Sequence, residues 1–185
     1  MGEKHYVSAE ELLLDSFRLG KMIYASGYHP HFLVGIWRGG TPVGIVVQDY
    51  LMFKGLSLFH TAIKTESYTG VDAAGTVAVN GLSDVLKMLN ARSEPAKILL
   101  VDDVFDTGRT VEKVLHLIRE KTRLKHEVRI ATLFYKPKRN KTSIVPDYYL
   151  HESNSWVVFR HEIAELTDDE LKEKNPEIYM IVRES

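Results

Sequence analysis

The feature that most constrains this chain is an apolar run that leads into adjacent carboxylates and then into a donor-rich loop. Residues 98–110 read Ile-Leu-Leu-Val-Asp-Asp-Val-Phe-Asp-Thr-Gly-Arg-Thr, and apolar residues at helical spacing follow them. The four leading apolar residues predict a buried, parallel strand that ends at Val101, and the later spacing predicts a helix from about Thr110. Open α/β sheets bind their ligands in the loop between such a strand and such a helix.

The two ends of this loop favour different chemical groups. Residues 107–110 supply hydroxyl and guanidinium donors beside a helix N-terminus, and Gly108 lets the backbone approach closely, so this end favours a phosphate. Asp102 and Asp103 would repel a phosphate, but they can accept hydrogen bonds from vicinal hydroxyls or hold Mg²⁺ that bridges to them. A ribose 5-phosphate carries both groups. Taken singly, the Asp-Asp pair is as consistent with a strand-end turn, and Thr-Gly with a helix cap.

Residues 98–110 closely resemble the phosphoribosyl-pyrophosphate signature of the type I phosphoribosyltransferases. The resemblance implies that Asp102 and Asp103 hold the ribose hydroxyls with the help of Mg²⁺. In the 6-oxopurine branch of the family, the Asp at the place of Asp106 is the proposed general base or acid at purine N7. The residues that the resemblance assigns to the 5-phosphate are Asp106, Thr107, Gly108, Arg109 and Thr110.

A second strand-to-helix junction lies earlier in the chain. Residues 32–36 predict a core strand, Trp37-Arg38-Gly39-Gly40 follows it, and Thr41 is expected to cap the next helix. The four-residue segment resembles the family's pyrophosphate loop, where a basic residue precedes Gly-Gly. In relatives the peptide before that basic residue is often cis, which here is the Trp37–Arg38 bond. A plain Gly-Gly turn is the alternative.

Two further segments resemble the 6-oxopurine branch. Ser67-Tyr68 lies in a polar stretch, residues 64–75, and resembles the Ser-Tyr of a flexible loop that closes over the active site to exclude water. An ordinary hairpin loop is the alternative. Lys136 follows a predicted strand over 128–135, and by resemblance it contacts purine O6, which disfavours adenine. Otherwise it is the first residue of a solvated basic run.

The last segment of the resemblance concerns the purine ring and the metal. Trp156 is predicted to stack on the base and Val157 to supply backbone contacts, although a lone Trp is more commonly a core aromatic. In some relatives an acidic residue at the place of Glu162 helps to bind the metal. Arg160 departs from the family pattern, since a Pro is expected there.

The composition excludes several classes of protein. A net charge of −1 argues against a general nucleic-acid or membrane-surface binder. The absence of cysteine excludes disulfides, thiolate zinc sites and cysteine nucleophiles. No apolar run approaches the ~18 residues of a membrane span, and the N-terminus lacks the pattern of a signal peptide. We therefore expect a cytoplasmic protein with small-molecule substrates.

Together these patterns predict a Rossmann-like α/β fold, with a parallel sheet flanked by helices. We expect one phosphoribosyltransferase domain over residues 1–185, with a core at about 30–145 and a hood mainly from about 146–185, with or without the N-terminal helix. The expected reaction transfers the phosphoribosyl group to N9 of hypoxanthine, guanine or xanthine in purine salvage, with Mg²⁺. Family members are commonly dimers or tetramers. The alternatives are another acceptor base, or a nucleotide- and RNA-binding regulator on the same fold.

Overall fold

The computed structural model of the protein describes residues 4–67, 77–164 and 166–183. The strands are β1 (Lys4–Val7), β2 (Phe32–Trp37), β3 (Phe59–Ser67), β4 (Val77–Asn80), β5 (Lys97–Phe105), β6 (Glu127–Tyr135), β7 (Tyr148–Glu152) and β8 (Trp156–Phe159). The helices are α1 (Ala9–Ala25), α2 (Gly40–Phe53), α3 (Leu82–Asn90), α4 (Arg109–Lys121), α5 (Asp168–Lys174) and α6 (Pro176–Arg183).

The chain divides into a larger unit, Leu13–Asn154, and a smaller unit formed by Met1–Leu12 and Ser155–Ser185. The sheet of the larger unit has the strand order β4-β3-β2-β5-β6-β7. Neighbouring strands are parallel except β3 and β4, which are antiparallel. This sheet confirms the predicted α/β class. β7 belongs to it, and the boundary between a core and a hood stays a prediction.

The apolar run of residues 98–101 lies in β5, in the middle of the sheet. Residues 98–101 of β5 have no exposed surface, because β5 lies between β2 and β6 and is covered on both faces. The buried residues of α4 fall at the predicted helical spacing: Val111, Val114, Leu115 and Ile118. Tyr28 donates a hydrogen bond from its hydroxyl to the carbonyl of Ile98 at 2.8 Å. The loop after β5 is therefore built on a well-packed strand.

One of the two predicted boundaries near that loop is wrong. β5 does not end at Val101 but continues through both carboxylates to Phe105, because its backbone keeps pairing with β6 as far as Phe105 and Tyr135. α4 begins at Arg109, directly after Gly108, in agreement with the helix predicted from about Thr110. The connection between strand and helix is thus reduced to residues 106–108, which holds its groups more closely than a long loop would.

The other boundaries also shift. α2 begins at Gly40 after Gly39, so Thr41 is not its cap; the Thr41 N–H instead donates to the Arg38 carbonyl at 3.1 Å. β3 continues to Ser67 and pairs with β4, so residues 64–67 are strand where a loop was predicted. Backbone pairing with a partner strand outweighs the polar composition of that stretch.

The smaller unit has its own local structure. β1 and β8 form a parallel two-stranded sheet, in register from Lys4 with Trp156 to Val7 with Phe159. α5 begins with a capping box, in which Thr167 and Glu170 satisfy each other's backbone N–H groups. None of the helices in the described ranges is long and apolar enough to cross a membrane.

Candidate active site

The two predicted binding loops follow adjacent strands. β2 and β5 are parallel neighbours, with Gly35 opposite Val101, so their carboxyl ends lie at the same edge of the sheet. The segment Trp37–Gly40 therefore begins beside the pair Asp102 and Asp103. The Trp37–Arg38 peptide bond is cis, as the resemblance to the pyrophosphate loop predicted. This edge is where open α/β sheets bind their ligands.

The two glycines are in close contact with the end of β5. An ideal Cβ atom built on Gly39 would lie 1.8 Å from Oδ2 of Asp103. On Gly40 it would lie 2.4 Å from the carbonyl oxygen of Val101. Any larger residue at either position would displace a neighbour, so the glycines are explained by this packing as well as by the access they give to a ligand.

The adjacent carboxylates are partly ordered by backbone hydrogen bonds. Oδ1 of Asp102 accepts from the Asp103 N–H at 3.0 Å, and Oδ1 of Asp103 accepts from the Val104 N–H at 2.8 Å. Burial raises the pKa of the Asp102 carboxyl well above its ordinary value, and the charge of Asp103 acts in the same direction. Two carboxylates in this environment favour a cation or hydroxyl donors as a ligand.

The phosphate-type loop depends on one glycine in a left-handed conformation. Gly108 has φ 77° and precedes the first residue of α4, so the N–H groups of the first helical turn point toward the loop. The carbonyl of Thr107 accepts a hydrogen bond from the Lys141 N–H at 2.9 Å. The predicted phosphate residues, 106–110, thus occupy the short connection and the N-terminus of α4, as a bound anion requires.

Asp106 is held by two basic side chains from the segment after β6. Nε of Arg139 lies 2.5 Å from Oδ1 of Asp106, and Nζ of Lys136 lies 3.4 Å from Oδ2. Lys136 is only 3% exposed, and its N–H donates to the carbonyl of Phe105 at 2.9 Å. The structure therefore brings Lys136 and Asp106 together, which the sequence placed 30 residues apart.

A family model described as the phosphoribosyl transferase domain matches residues 5–165 of the chain. The chain belongs to the phosphoribosyltransferase family. The hypoxanthine-guanine phosphoribosyltransferase of Lactococcus lactis is 30% identical over 149 residues, which cover 79% of this chain and 74% of the relative. That of Streptococcus mutans is 28% identical over 160 residues, which cover 84% and 82%.

Solved phosphoribosyltransferase structures share the fold. A purine phosphoribosyltransferase from Pyrococcus horikoshii superimposes with a TM-score of 0.67 at 24% identity, covering 89% of this chain and 97% of that one. A xanthine-guanine-hypoxanthine phosphoribosyltransferase from Helicobacter pylori has a TM-score of 0.59 at 22% identity, covering 86% and 92%. These matches support the parallel sheet flanked by helices that was predicted.

The remaining predicted residues of this phosphoribosyltransferase lie in other parts of the chain. Trp156 opens β8 in the smaller unit and is 47% exposed, whereas Val157 beside it is buried. Oε2 of Glu162 accepts a hydrogen bond from the Phe159 N–H at 3.3 Å, so this carboxylate supports a turn after β8. The assignment of these three residues to the purine and the metal stays a prediction.

The predicted flexible loop is described only at its start. Ser67 is the last residue of β3, and Tyr68 lies outside the described residues. Within the described ranges, no group of three or more His, Asp or Glu side chains is placed to bind a metal. A cation at this edge would therefore rely on Asp102 and Asp103 and on oxygens from the substrate or water.

The segment after β6 places two further side chains at the site of this phosphoribosyltransferase, and no sequence pattern predicted them. Oδ1 of Asn140 accepts from both the N–H and the hydroxyl of Thr142 at 2.9 Å. These two side chains lie under Gly108, where a Cβ would be 2.6 Å from Oγ1 of Thr142 and 2.9 Å from Oδ1 of Asn140. The Asn-Lys-Thr sequence is typical of an Asx turn. Because basic residues surround it, the segment was interpreted only as a solvated basic run.

Proposed function

We propose that this phosphoribosyltransferase transfers the 5-phosphoribosyl group of phosphoribosyl pyrophosphate to N9 of a 6-oxopurine and releases pyrophosphate. The acceptor would be hypoxanthine, guanine or xanthine, and the product a purine nucleotide, as in purine salvage. The observation that carries this proposal is that three groups lie at one edge of the sheet. They are the carboxylate pair, the Gly-Gly loop, and Asp106 with its ion-pair partner Arg139. The names of the hypoxanthine-guanine relatives support the choice of acceptor.

The donor would be bound by three groups of residues. The backbone and side chains of residues 106–110 would hold the 5-phosphate at the N-terminus of α4. Asp102 and Asp103 would accept hydrogen bonds from the ribose hydroxyls and favour the positive charge that develops at the anomeric carbon. The amides of Gly39 and Gly40, with Trp37 and Arg38, would line the pyrophosphate site.

The metal fits the same place. Burial raises the pKa of the Asp102 carboxyl and the neighbouring charge of Asp103 raises it further, so a bound cation would favour the ionised form of this pair. Mg²⁺ held by this pair and by oxygens of the substrate or water would neutralise charge on the leaving pyrophosphate. The family resemblance offers Glu162 as a separate candidate that would help to bind the pyrophosphate metal. We infer this site from the donor set alone.

In the proposed reaction, Asp106 accepts one proton from the purine. The N9 lone pair of the purine forms the bond to the anomeric carbon as the bond from that carbon to pyrophosphate breaks, and pyrophosphate leaves with the electron pair. The N7 proton of the purine passes to the Asp106 carboxylate. Lys136 would donate to the 6-oxo group, Trp156 would stack on the ring and Val157 would contact its edge through the backbone. Ser67 and Tyr68 would belong to a loop that excludes water.

We also propose a cytoplasmic enzyme that forms a homodimer or homotetramer. A chain without cysteine has no disulfides that require an oxidising compartment.

The exposed face of α2 offers an apolar surface for a second copy, since Ile45 is 61% exposed, Met52 51% and Phe53 84%. Light scattering of the purified protein tests the oligomeric state.

The regulatory alternative is not favoured by the basic segment that suggested it. Lys136 is buried, and Arg139 forms an ion pair with Asp106. Lys136 is thus withdrawn from the exposed basic surface, and the charge of Arg139, whose side chain is 52% exposed, is paired with a carboxylate of the candidate site. This observation favours a role of the run in substrate handling.

A steady-state assay tests the proposed reaction. The protein is mixed with phosphoribosyl pyrophosphate, Mg²⁺ and each of hypoxanthine, guanine, xanthine, adenine, uracil and orotate, and nucleotide formation is followed. We expect turnover with 6-oxopurines, and the ranking of kcat/KM identifies the preferred base. Turnover with adenine or a pyrimidine alone would refute the roles of Lys136 and Trp156. Binding of nucleotide without any turnover would favour the regulator.

A variant tests the proton transfer separately. Asp106→Asn keeps the size of the side chain but removes the base, so we expect kcat to fall by about 100-fold or more. Asp84→Asn, at an exposed site on α3, is the matched control and should keep the wild-type rate. An unchanged kcat in Asp106→Asn would eliminate the acid–base role.

A further inference from the structure

The candidate site contains an ion pair between Arg139 and Asp106 to which the proposed function gives no role. We propose that Arg139 is a positioning residue, which fixes the orientation of the Asp106 carboxylate for proton exchange with the purine. This inference rests on the proposed function. It goes beyond that function because Arg139 belongs to none of the family motifs and to none of the proposed substrate contacts.

The two oxygens of Asp106 are held unequally. Nε of Arg139 lies 2.5 Å from Oδ1, a short charge-assisted contact, whereas Nζ of Lys136 lies 3.4 Å from Oδ2, near the limit of a hydrogen bond. Oδ1 is therefore the anchored oxygen and Oδ2 the one more easily released. We infer that Oδ2 is the oxygen that exchanges the proton with N7.

The proposed role of Lys136 makes Arg139 more important when the base is bound. If Lys136 donates to the 6-oxo group, its long contact with Asp106 is weakened or shared. The pair with Arg139 would then keep the carboxylate in place. A guanidinium suits this task better than an ammonium, because its planar set of donors fixes direction as well as distance.

Arg139 is itself supported by a turn that is bonded to the β5–α4 connection. The N–H groups of Arg139 and Asn140 donate to the Lys136 carbonyl at 3.0 and 3.1 Å. At one end of the turn the Lys136 N–H donates to Phe105, and beyond the other end the Lys141 N–H donates to Thr107, each at 2.9 Å. Asp106 lies between Phe105 and Thr107. The turn therefore positions the backbone of Asp106 through these two hydrogen bonds and its side chain through Arg139.

Two other roles of Arg139 give different kinetics. A residue that bound phosphate or pyrophosphate of the donor would change KM for the donor when removed. A residue that only stabilised the fold would lower the melting temperature and leave the kcat of the folded protein unchanged. A positioning residue that acts through Asp106 lowers kcat only while Asp106 is present.

The test is a double-mutant cycle of wild type, Arg139→Gln, Asp106→Asn and the double variant, with kcat and both KM values measured. We expect Arg139→Gln to lower kcat by about tenfold and to change the donor KM by less than about twofold. Arg139→Lys should give an intermediate kcat, because it keeps the charge without the planar donors. In the Asp106→Asn background, Arg139→Gln should change kcat by less than about twofold.

Lys138→Gln is the matched control, since it removes an exposed charge from the same segment and should leave the kinetics unchanged. An equal loss of kcat on both backgrounds, or a changed donor KM alone, would overturn the inference. If Asp106→Asn lowers kcat but Arg139→Gln does not, this inference fails and the proposed function stands. If Asp106→Asn has no effect, the acid–base role and this inference fail while the proposed transfer reaction stands. If the wild type gives no turnover, the proposed function and this inference both fail. Should Arg139→Gln not fold, the cycle is run with Arg139→Lys, with the same criteria.

Discussion

Gly39 lies against Asp103 so closely that a Cβ atom at this position would be 1.8 Å from the carboxylate oxygen Oδ2. Gly39 lies in the turn between β2 and α2 and Asp103 lies in β5, and no spacing in the sequence connects them. Their contact links the proposed pyrophosphate loop to the proposed ribose site. A change in one site is therefore expected to displace the other.

Gly39→Ala and Gly40→Ala should have different effects. The neighbour of Gly39 is the end of a side chain, which can move, so we expect a folded protein whose kcat/KM falls by about 100-fold as Asp103 is displaced. The neighbour of Gly40 is the backbone carbonyl of Val101 at 2.4 Å, so overpacking should lower the free energy of unfolding by about 1–3 kcal/mol. Kinetics and urea unfolding measure the two effects.

Gly44→Ala is the control for both changes. Gly44 lies in α2, as Gly40 does, and its nearest Cβ neighbour, Cδ2 of Leu33, would be at an ordinary 3.4 Å. We expect unchanged kinetics and a gain of about 0.5–1 kcal/mol in unfolding free energy, because Ala favours a helix interior. Equal behaviour of all three variants would refute the steric argument.

Gly108→Ala should weaken donor binding. The φ of 77° is unfavourable for Ala, and the added Cβ would be 2.6 Å from Oγ1 of Thr142. Gly55→Ala is a matched control, since Gly55 has φ 86° but nothing within 4 Å of its Cβ position. Both variants should lose about 1–2 kcal/mol of stability from the backbone, and only Gly108→Ala should raise the KM for phosphoribosyl pyrophosphate. A normal KM would contradict a phosphate role for this connection.

Asp102→Asn should stabilise the ligand-free protein at neutral pH. The raised pKa of Asp102 means that, above the ordinary carboxyl pKa, the folded state keeps a proton that the unfolded state has released. Wild-type stability therefore falls as the pH rises from the ordinary value to the raised one, by about 1.4 kcal/mol per unit of the difference. The variant lacks this fall. Urea unfolding from pH 3 to 8 measures it, with Asp84→Asn as an exposed control. Parallel pH profiles of wild type and Asp102→Asn would disprove the assignment.

Two histidines that accept backbone hydrogen bonds at the start of β5, His31 before β2 and His126 before β6, should make the fold acid-sensitive. Nδ1 of His31 accepts from the Lys97 N–H and Nδ1 of His126 from the Ala96 N–H, both at 2.9 Å. Burial lowers the pKa of both rings, and Arg92 lowers it further. Because the unfolded state takes up protons first, stability should fall as the pH drops below about 6.5.

The contribution of Arg92 can be measured by NMR titration of the histidine rings. Arg92→Gln should raise the pKa of both His31 and His126, since it removes a positive charge that opposes their protonation. Lys87→Gln, which removes an exposed charge from α3, should leave both values unchanged. If only one ring responds to Arg92→Gln, the shared electrostatic cause is wrong for the other.

The sequence by itself determined the class of the sheet and the location of the candidate site. The apolar run before Asp102, the spacing within α4 and the Gly-Gly segment after β2 are local patterns, and they depend on backbone preferences and burial that act over a few residues. Local patterns also predicted the cis bond at Trp37–Arg38 through the family resemblance.

Only the tertiary structure decided which of these groups meet. The extension of β5 to Phe105 depends on pairing with β6, the role of Gly39 on its contact with Asp103, and the ion pair of Asp106 on Arg139, 33 residues away. The physical reason is that contacts between distant segments are set by strand order and register, which arise from the packing of the whole sheet and leave no mark on the spacing of residues within any one segment.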